Sequence, residues 1–152
     1  MAWITPKTDW EAKYDSAGNY IGDWFNVADY NRIKNNIVHL REIAIGLVGT
    51  IPEINVGPDK HEIDPLNPDW ENDSFFASEI NAIEDALDTI AVALPFIDFG
   101  TKKTYYDNGV FIDYLELNRL ESLTLEAYET VTNAIAHKPR FAYRLGSGKF
   151  QI

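Results

Sequence analysis

The residues that could do chemistry in this chain are few, and each arrangement lacks a part that its chemistry needs. Asp69, Glu71 and Asp73 alternate as calcium ligands do. The position that needs glycine holds Ser74, however, and the one that needs a bidentate glutamate holds Ile80, which rules out an EF-hand. A solvated acidic loop is the expected state. Gly146-Ser147-Gly148-Lys149 looks like the end of a phosphate-binding loop. That loop requires a glycine five positions before Gly148 and a Ser or Thr after the lysine, where this chain has Tyr143 and Phe150. A hairpin turn is expected instead. His39, His61 and His137 are far apart, and none sits in a zinc-binding spacing. His137, near a helix end, reads as a cation at the negative end of the dipole. With no cysteine there is no thiol nucleophile, no disulfide and no Cys-ligated zinc. Carboxylates are abundant, but none is marked as an acid/base pair, and there is no G-x-S-x-G elbow.

Aromatic side chains are the remaining candidates. Trp3, Trp10, Trp24 and Trp70, with eight tyrosines, could stack on sugars or anchor a protein interface. Trp10 and Trp24 are expected to close the ends of a helical core. Trp3, too near the terminus to pack well alone, is assigned with Ile4, Pro6 and Trp10 to an assembly interface on another subunit. Pro6 keeps this arm extended. The competing reading folds Trp3 back on its own bundle.

The elements that must position these residues are mainly helical. Tyr30, Ile33, Ile37, Leu40, Ala44 and Leu47 recur three and four apart, as one face of a helix requires. Ile80, Ile83, Leu87, Ile90 and Leu94 repeat the pattern up to Pro95, and Leu117, Leu120, Leu123, Ala127, Val131 and Ala134 form a third stripe that Pro139 should end. Turn residues between the helices predict hairpins around Asp15-Ser16-Ala17-Gly18-Asn19 and Asp107-Asn108-Gly109, and a third at the C-terminus. The expected fold is mainly α: a three-helix amphipathic bundle with short β-hairpins at the connectors and C-terminus. Its single domain, 1–152, divides into an arm and hairpin (1–23), helices over 24–50, 74–95 and 113–138, an acidic Pro-rich loop (51–73), a hairpin (101–112) and C-terminal strands (140–152).

At 152 residues, with 45% hydrophobic and 24% charged side chains, the chain can bury a core. A net charge of −11 argues against nucleic-acid grooves and anionic membrane surfaces, which recruit clustered Lys and Arg. The first ten residues lack the basic and apolar regions of a signal peptide. The apolar run from Ile90 to Ile97 is too short to span a bilayer.

The chain also repeats itself. Residues 25–33 can be laid over 112–120, each with Asn or Asp at a helix N-cap, an acid three residues later, and then Asn-Arg. Asn26 and Asp113 are the expected caps. Glu79-Ile80-Asn81-Ala82-Ile83-Glu84 forms a weaker third copy, in which Phe76 falls at the cap position and Ser74 or Ser78 must cap instead. Trp3-x-x-Pro6-Lys7-Thr8-Asp9-Trp10, paired with Phe25-Asn26-x-x-Asp29-Tyr30-Asn31-Arg32-Ile33-x-x-Asn36-Ile37, resembles segments of tail-associated minor structural proteins of tailed bacteriophages. Phe111 to Glu121 looks like a second module of such proteins, and Phe75 to Glu84 a weaker third. The likeness covers about half the chain.

The resemblance implies a virion component, made in the host bacterial cytoplasm, that serves as an adaptor or connector in the tail, neck or baseplate and attaches fibres or spikes. Its implied partners are other phage structural proteins and sister copies in a trimer or ring, without nucleic acid or membrane. It implies no enzyme, no catalytic residue, no cofactor and no metal. The other classes to weigh are a host-receptor or carbohydrate-binding tail protein and, third, a cell-wall hydrolase.

Overall fold

The computed structural model describes residues 2–62, 64–66, 68 and 74–146, with side chains up to His137. Three helices make up its regular structure: α1 (Val27–Val48), α2 (Ala77–Ala93) and α3 (Tyr114–Gly146). Each buries the stripe that its spacing marks. Tyr30, Ile33, Ile37, Leu40 and Ala44 of α1 meet Ile80, Ile83, Leu87 and Ile90 of α2 and Leu117, Leu120, Ala127 and Val131 of α3, all 4% exposed or less. A single core results, with α1 packed on both other helices.

The helices start together. Phe25, Phe75 and Phe111, each one or two residues ahead of a helix cap, are in mutual contact, with ring centroids 5.1, 5.9 and 6.3 Å apart. At the other end of α1, Gly46 lies against Ile135 of α3. Helices that begin at one end force the chain to travel back between them. A 22-residue helix is about 33 Å long, which takes roughly ten extended residues to retrace. Residues 51–60 and 97–106 make that return, with Ile51, Val56, Lys60, Ile97 and Phe99 buried on the way. The expected Pro-rich surface loop is therefore, over 51–60, a packed strap. Prolines and acids alone do not reveal the buried Ile51, Val56 and Lys60 among them.

Other expectations need correction. Among the described residues there is no β-strand. Tyr14 and Tyr20 form one isolated bridge, and 106–109 is a single turn with Asn108 at φ 61° and the Gly109 N–H donating to the Tyr106 carbonyl at 2.9 Å. Around the first turn the main chain bonds across from Ile21 to Lys13 and from Asp23 to Glu11 without extending into strands, and beside the second Tyr105 pairs with the Asn81 side chain. The expected C-terminal strand over 141–145 is helix, because α3 runs through Pro139 to Gly146. A proline removes one main-chain donor, and a helix long enough on both sides can bridge that gap. The phosphate-loop candidate and the last strand, from Ser147 onward, lie outside the described residues, as do Trp70 and the calcium candidates Asp69, Glu71 and Asp73. No helix among the described residues is long and apolar enough to cross a membrane.

Candidate functional site

The repeat is visible as geometry. At each helix start an acid in the first turn accepts from, or is held by, the cap. Asn26 Oδ1 accepts from the Asp29 N–H, and Asp29 Oδ2 accepts from the Asn26 N–H, both at 3.1 Å. Asp113 Oδ1 accepts from the Glu116 N–H at 2.9 Å. At α2 neither serine caps. Phe76 is the cap residue, and Glu79 reaches back to accept from its N–H at 2.9 Å.

Two residues after each acid stands an asparagine, and all three do the same work. Asn31, Asn81 and Asn118 each accept a main-chain N–H and donate to the carbonyl of the same residue: Lys60, Tyr105 and Trp10 respectively, at 2.7–2.9 Å. The amide of an asparagine thus replaces a neighbouring strand, satisfying a donor and an acceptor that the buried strap would otherwise leave bare. The order is cyclic. The strap before α2 is held by α1, the strap before α3 by α2, and the segment before α1 by α3. Asn36 adds a fourth such clasp, on Ile4 at 2.6 and 3.0 Å.

Ionic links follow the same cycle. Arg32 of α1 forms a two-pronged bond with Glu121 of α3 at 2.6 and 3.0 Å, and Arg119 of α3 pairs with Glu84 of α2. Each arginine also pairs with its own first-turn acid, Asp29 or Glu116, at 2.7 Å. The third link is missing, because Ala82 replaces the arginine and Lys34 the glutamate. Lys34, 3% exposed at its side chain, bonds Asp59 and the Gly57 carbonyl instead. Burial pushes the Glu84 carboxyl above its ordinary range, against the pull of Arg119. Glu116 is also desolvated, but hydrogen bonds from Arg119 and Lys103 outweigh this and hold it below. These arrangements fix the fold. Their carboxylates and cations are paired with one another.

The arm from Trp3 to Trp10 belongs to this system. Trp10 is 4% exposed and donates its indole N–H to Glu121 Oε1 at 2.9 Å, and the Lys7 N–H donates to Glu121 Oε2 at 2.8 Å. Pro6 is buried. Trp3 stacks on Tyr128 at 3.9 Å between centroids, with His39 at 5.9 Å. The expectation that Trp3 and Ile4 lack partners within the chain is corrected: α1 and α3 provide them, although Ile4 keeps 54% of its surface exposed. Local sequence spacing could not show this, because the partners Asn36, His39 and Tyr128 lie far along the chain. Trp24, expected in the core, is 72% exposed against Tyr20. Among the described residues no cluster of three His, Cys, Asp or Glu could hold a metal ion.

One apolar surface stays open among the described residues. Around the helix starts, Trp24, Phe76, Tyr106, Val110, Phe111 and Leu115 are 41–86% exposed. Between the start of α2 and the 106–109 turn lies an open hollow of ≈ 440 Å³, walled by Phe75, Phe76, Ile80, Tyr106, Val110 and Phe111, with Asp107 on its rim. Tyr105 at its edge carries a buried hydroxyl without a hydrogen-bond partner, and burial, then the charges of Glu84 and Glu116, push that phenol up to about 12. No protein-family model, curated protein or solved structure matches this chain.

Proposed function

We propose that this protein is a structural component of a tailed-phage particle, an adaptor in the tail, neck or baseplate to which a fibre or spike attaches. The observation that carries the reading is the division of labour over the molecule. The buried arginines, lysines and glutamates are consumed in holding helices and straps in one arrangement, while large apolar side chains are gathered, exposed, at the end where the helices begin. A contiguous apolar patch kept in water is costly unless another surface covers it. A rigid bundle with such an end suits a part that joins other parts. The helix-start units that carry the resemblance to tail proteins, Phe25–Ile37 and Phe111–Glu121, also contribute to this end. Partners of this adaptor are neighbouring virion proteins and sister copies of the chain. The test is a cryo-EM map of the intact particle together with mass spectrometry of purified virions. Peptides of this chain at defined stoichiometry, and density for three helices at the tail, neck or baseplate, are expected. Washed particles that lack the chain overturn the proposal.

A further inference from the structure

The two ends of this molecule are electrically opposite. Nine basic and 24 acidic side chains precede residue 138, a net charge of −15, whereas residues 138–152 hold Lys138, Arg140, Arg144 and Lys149 and no acid at all. Eight of the nine basic groups in the body are already engaged: Lys7, Arg32, Lys34, Arg41, Lys60, Lys102, Lys103 and Arg119 all sit in ion pairs. The body therefore carries a surplus of carboxylates, and the final segment carries cations with no acid among them. That segment also alternates its charges with Phe141, Tyr143, Leu145, Phe150 and Ile152.

Ile135 lies level with Gly46, near the end of α1, and α3 continues to Gly146, about 16 Å further at 1.5 Å per residue. The helix carries its basic residues away from the helix starts, where the apolar hollow between α2 and the 106–109 turn lies. That hollow has Asp107 on its rim, and the adjoining one across Tyr106 and Val110 is lined by Asp113 and Glu116.

We infer that the basic, aromatic segment 138–152 of one copy docks in the apolar hollow at the helix starts of a second copy. The apolar residues of the segment fill the space between Phe76, Tyr106, Val110 and Phe111, and its cations meet the acidic body around it. Such a contact uses different surfaces on its two sides, so it propagates head to tail and generates a ring or a stack rather than a closed two-fold dimer. This deepens the self-assembly part of the function proposed above and rests only on that part. Its failure would leave the station of the protein in the particle to be decided by the cryo-EM map.

Two full-length variants test it. K138E/R140E/R144E reverses the basic segment, and V110D places a charge in a hollow where Val110 is 86% exposed. Val110 contributes little to the fold from that position, and circular dichroism and melting check both variants. Analytical ultracentrifugation at low salt should show the wild type as dimers and larger species above the 17.3 kDa monomer. Assembly should weaken at least tenfold at 0.5 M salt, where the Debye length falls to roughly 4 Å. Each variant alone should be monomeric. Mixed together they should form a one-to-one dimer, because one retains an intact hollow and the other an intact segment. A wild type that stays monomeric, variants that assemble unchanged, or a mixture that fails to pair overturns the inference. So does a monomeric wild type whose segment binds anionic vesicles or duplex DNA instead.

Discussion

Removing the Glu121 carboxylate is the most informative single perturbation of this fold. Its side chain is 1% exposed, and four bonds converge on it: two from the Arg32 guanidinium, one from the Trp10 indole and one from the Lys7 main chain. Deleting one partner of a buried ion pair costs about 3–5 kcal/mol, because the other charge stays buried. Here Arg32 keeps Asp29 at 2.7 Å, which places its share near the lower end. Two N–H groups are orphaned as well, each costing about 1 kcal/mol where water cannot reach fully. Glu121→Ala should therefore lose about 5 kcal/mol. For a chain of this size that lowers Tm by roughly 15 °C and, with m near 2 kcal/mol/M, moves the urea midpoint by about 2.5 M. Trp10 fluorescence should shift red as the arm loosens. The double variant Arg32→Met/Glu121→Met should recover much of the loss, since apolar replacement of a whole buried pair is often neutral. A loss below about 1 kcal/mol for Glu121→Ala, with Trp10 emission unchanged, would refute the assignment of Glu121 as the closure of the bundle.

Four further outcomes are expected. Asn118→Ala frees the N–H and carbonyl of Trp10 and should cost about 2 kcal/mol by urea denaturation, whereas Asn26→Ala, a cap near the surface, should cost about 1 kcal/mol. Tyr105→Phe removes a buried hydroxyl that bonds nothing and should leave stability unchanged or raise it by about 1 kcal/mol; a loss of similar size would mean that the hydroxyl is satisfied. Glu84 titrates above its usual 4.5 when folded, so its contribution is fully present below 4.5 and is lost as pH rises through the folded value. Denaturation midpoints of wild type and Glu84→Gln, followed from pH 4 to 7, should show the wild type gaining relative to the variant at the acid end. Glu116 has the opposite sign: its folded value lies below 4.5, so Glu116→Gln should cost most at neutral pH and progressively less as pH falls past 4.5.

What could be read from the sequence was what repeats locally. Residues three and four apart give the buried face of each helix, and Asn26 with Asp29 gives a helix start, because both signals lie within one or two turns. The repeated Asn31, Asn81 and Asn118 were visible too, in constant register with the first-turn acids, but their task depends on main chain 24 to 108 positions away. The same distance hid the partners of Trp3 and Trp10. Asn108-Gly109 correctly marks a turn, yet strands need a ladder that the asparagine clasps replace. The charge contrast between residues 1–137 and 138–152 was present in plain composition, and averaging over the whole chain concealed it.

The cyclic closure has a consequence for how the protein is made. The arm that begins the chain is held by residues of its last helix, across separations of 108 and 114 positions. At a synthesis rate of about 5–20 residues per second, Trp10 waits on the order of ten seconds before Asn118 and Glu121 exist. Until then the Trp10 indole and the main chain of Lys7 and Trp10 lack these partners, with the Asn36 clasp on Ile4 to hold the arm, and a nascent chain stopped before α3 leaves them open to chaperones and proteases. The arm thus docks only after the start of α3 has been made, and the burial of Trp10 marks a chain that has reached that helix.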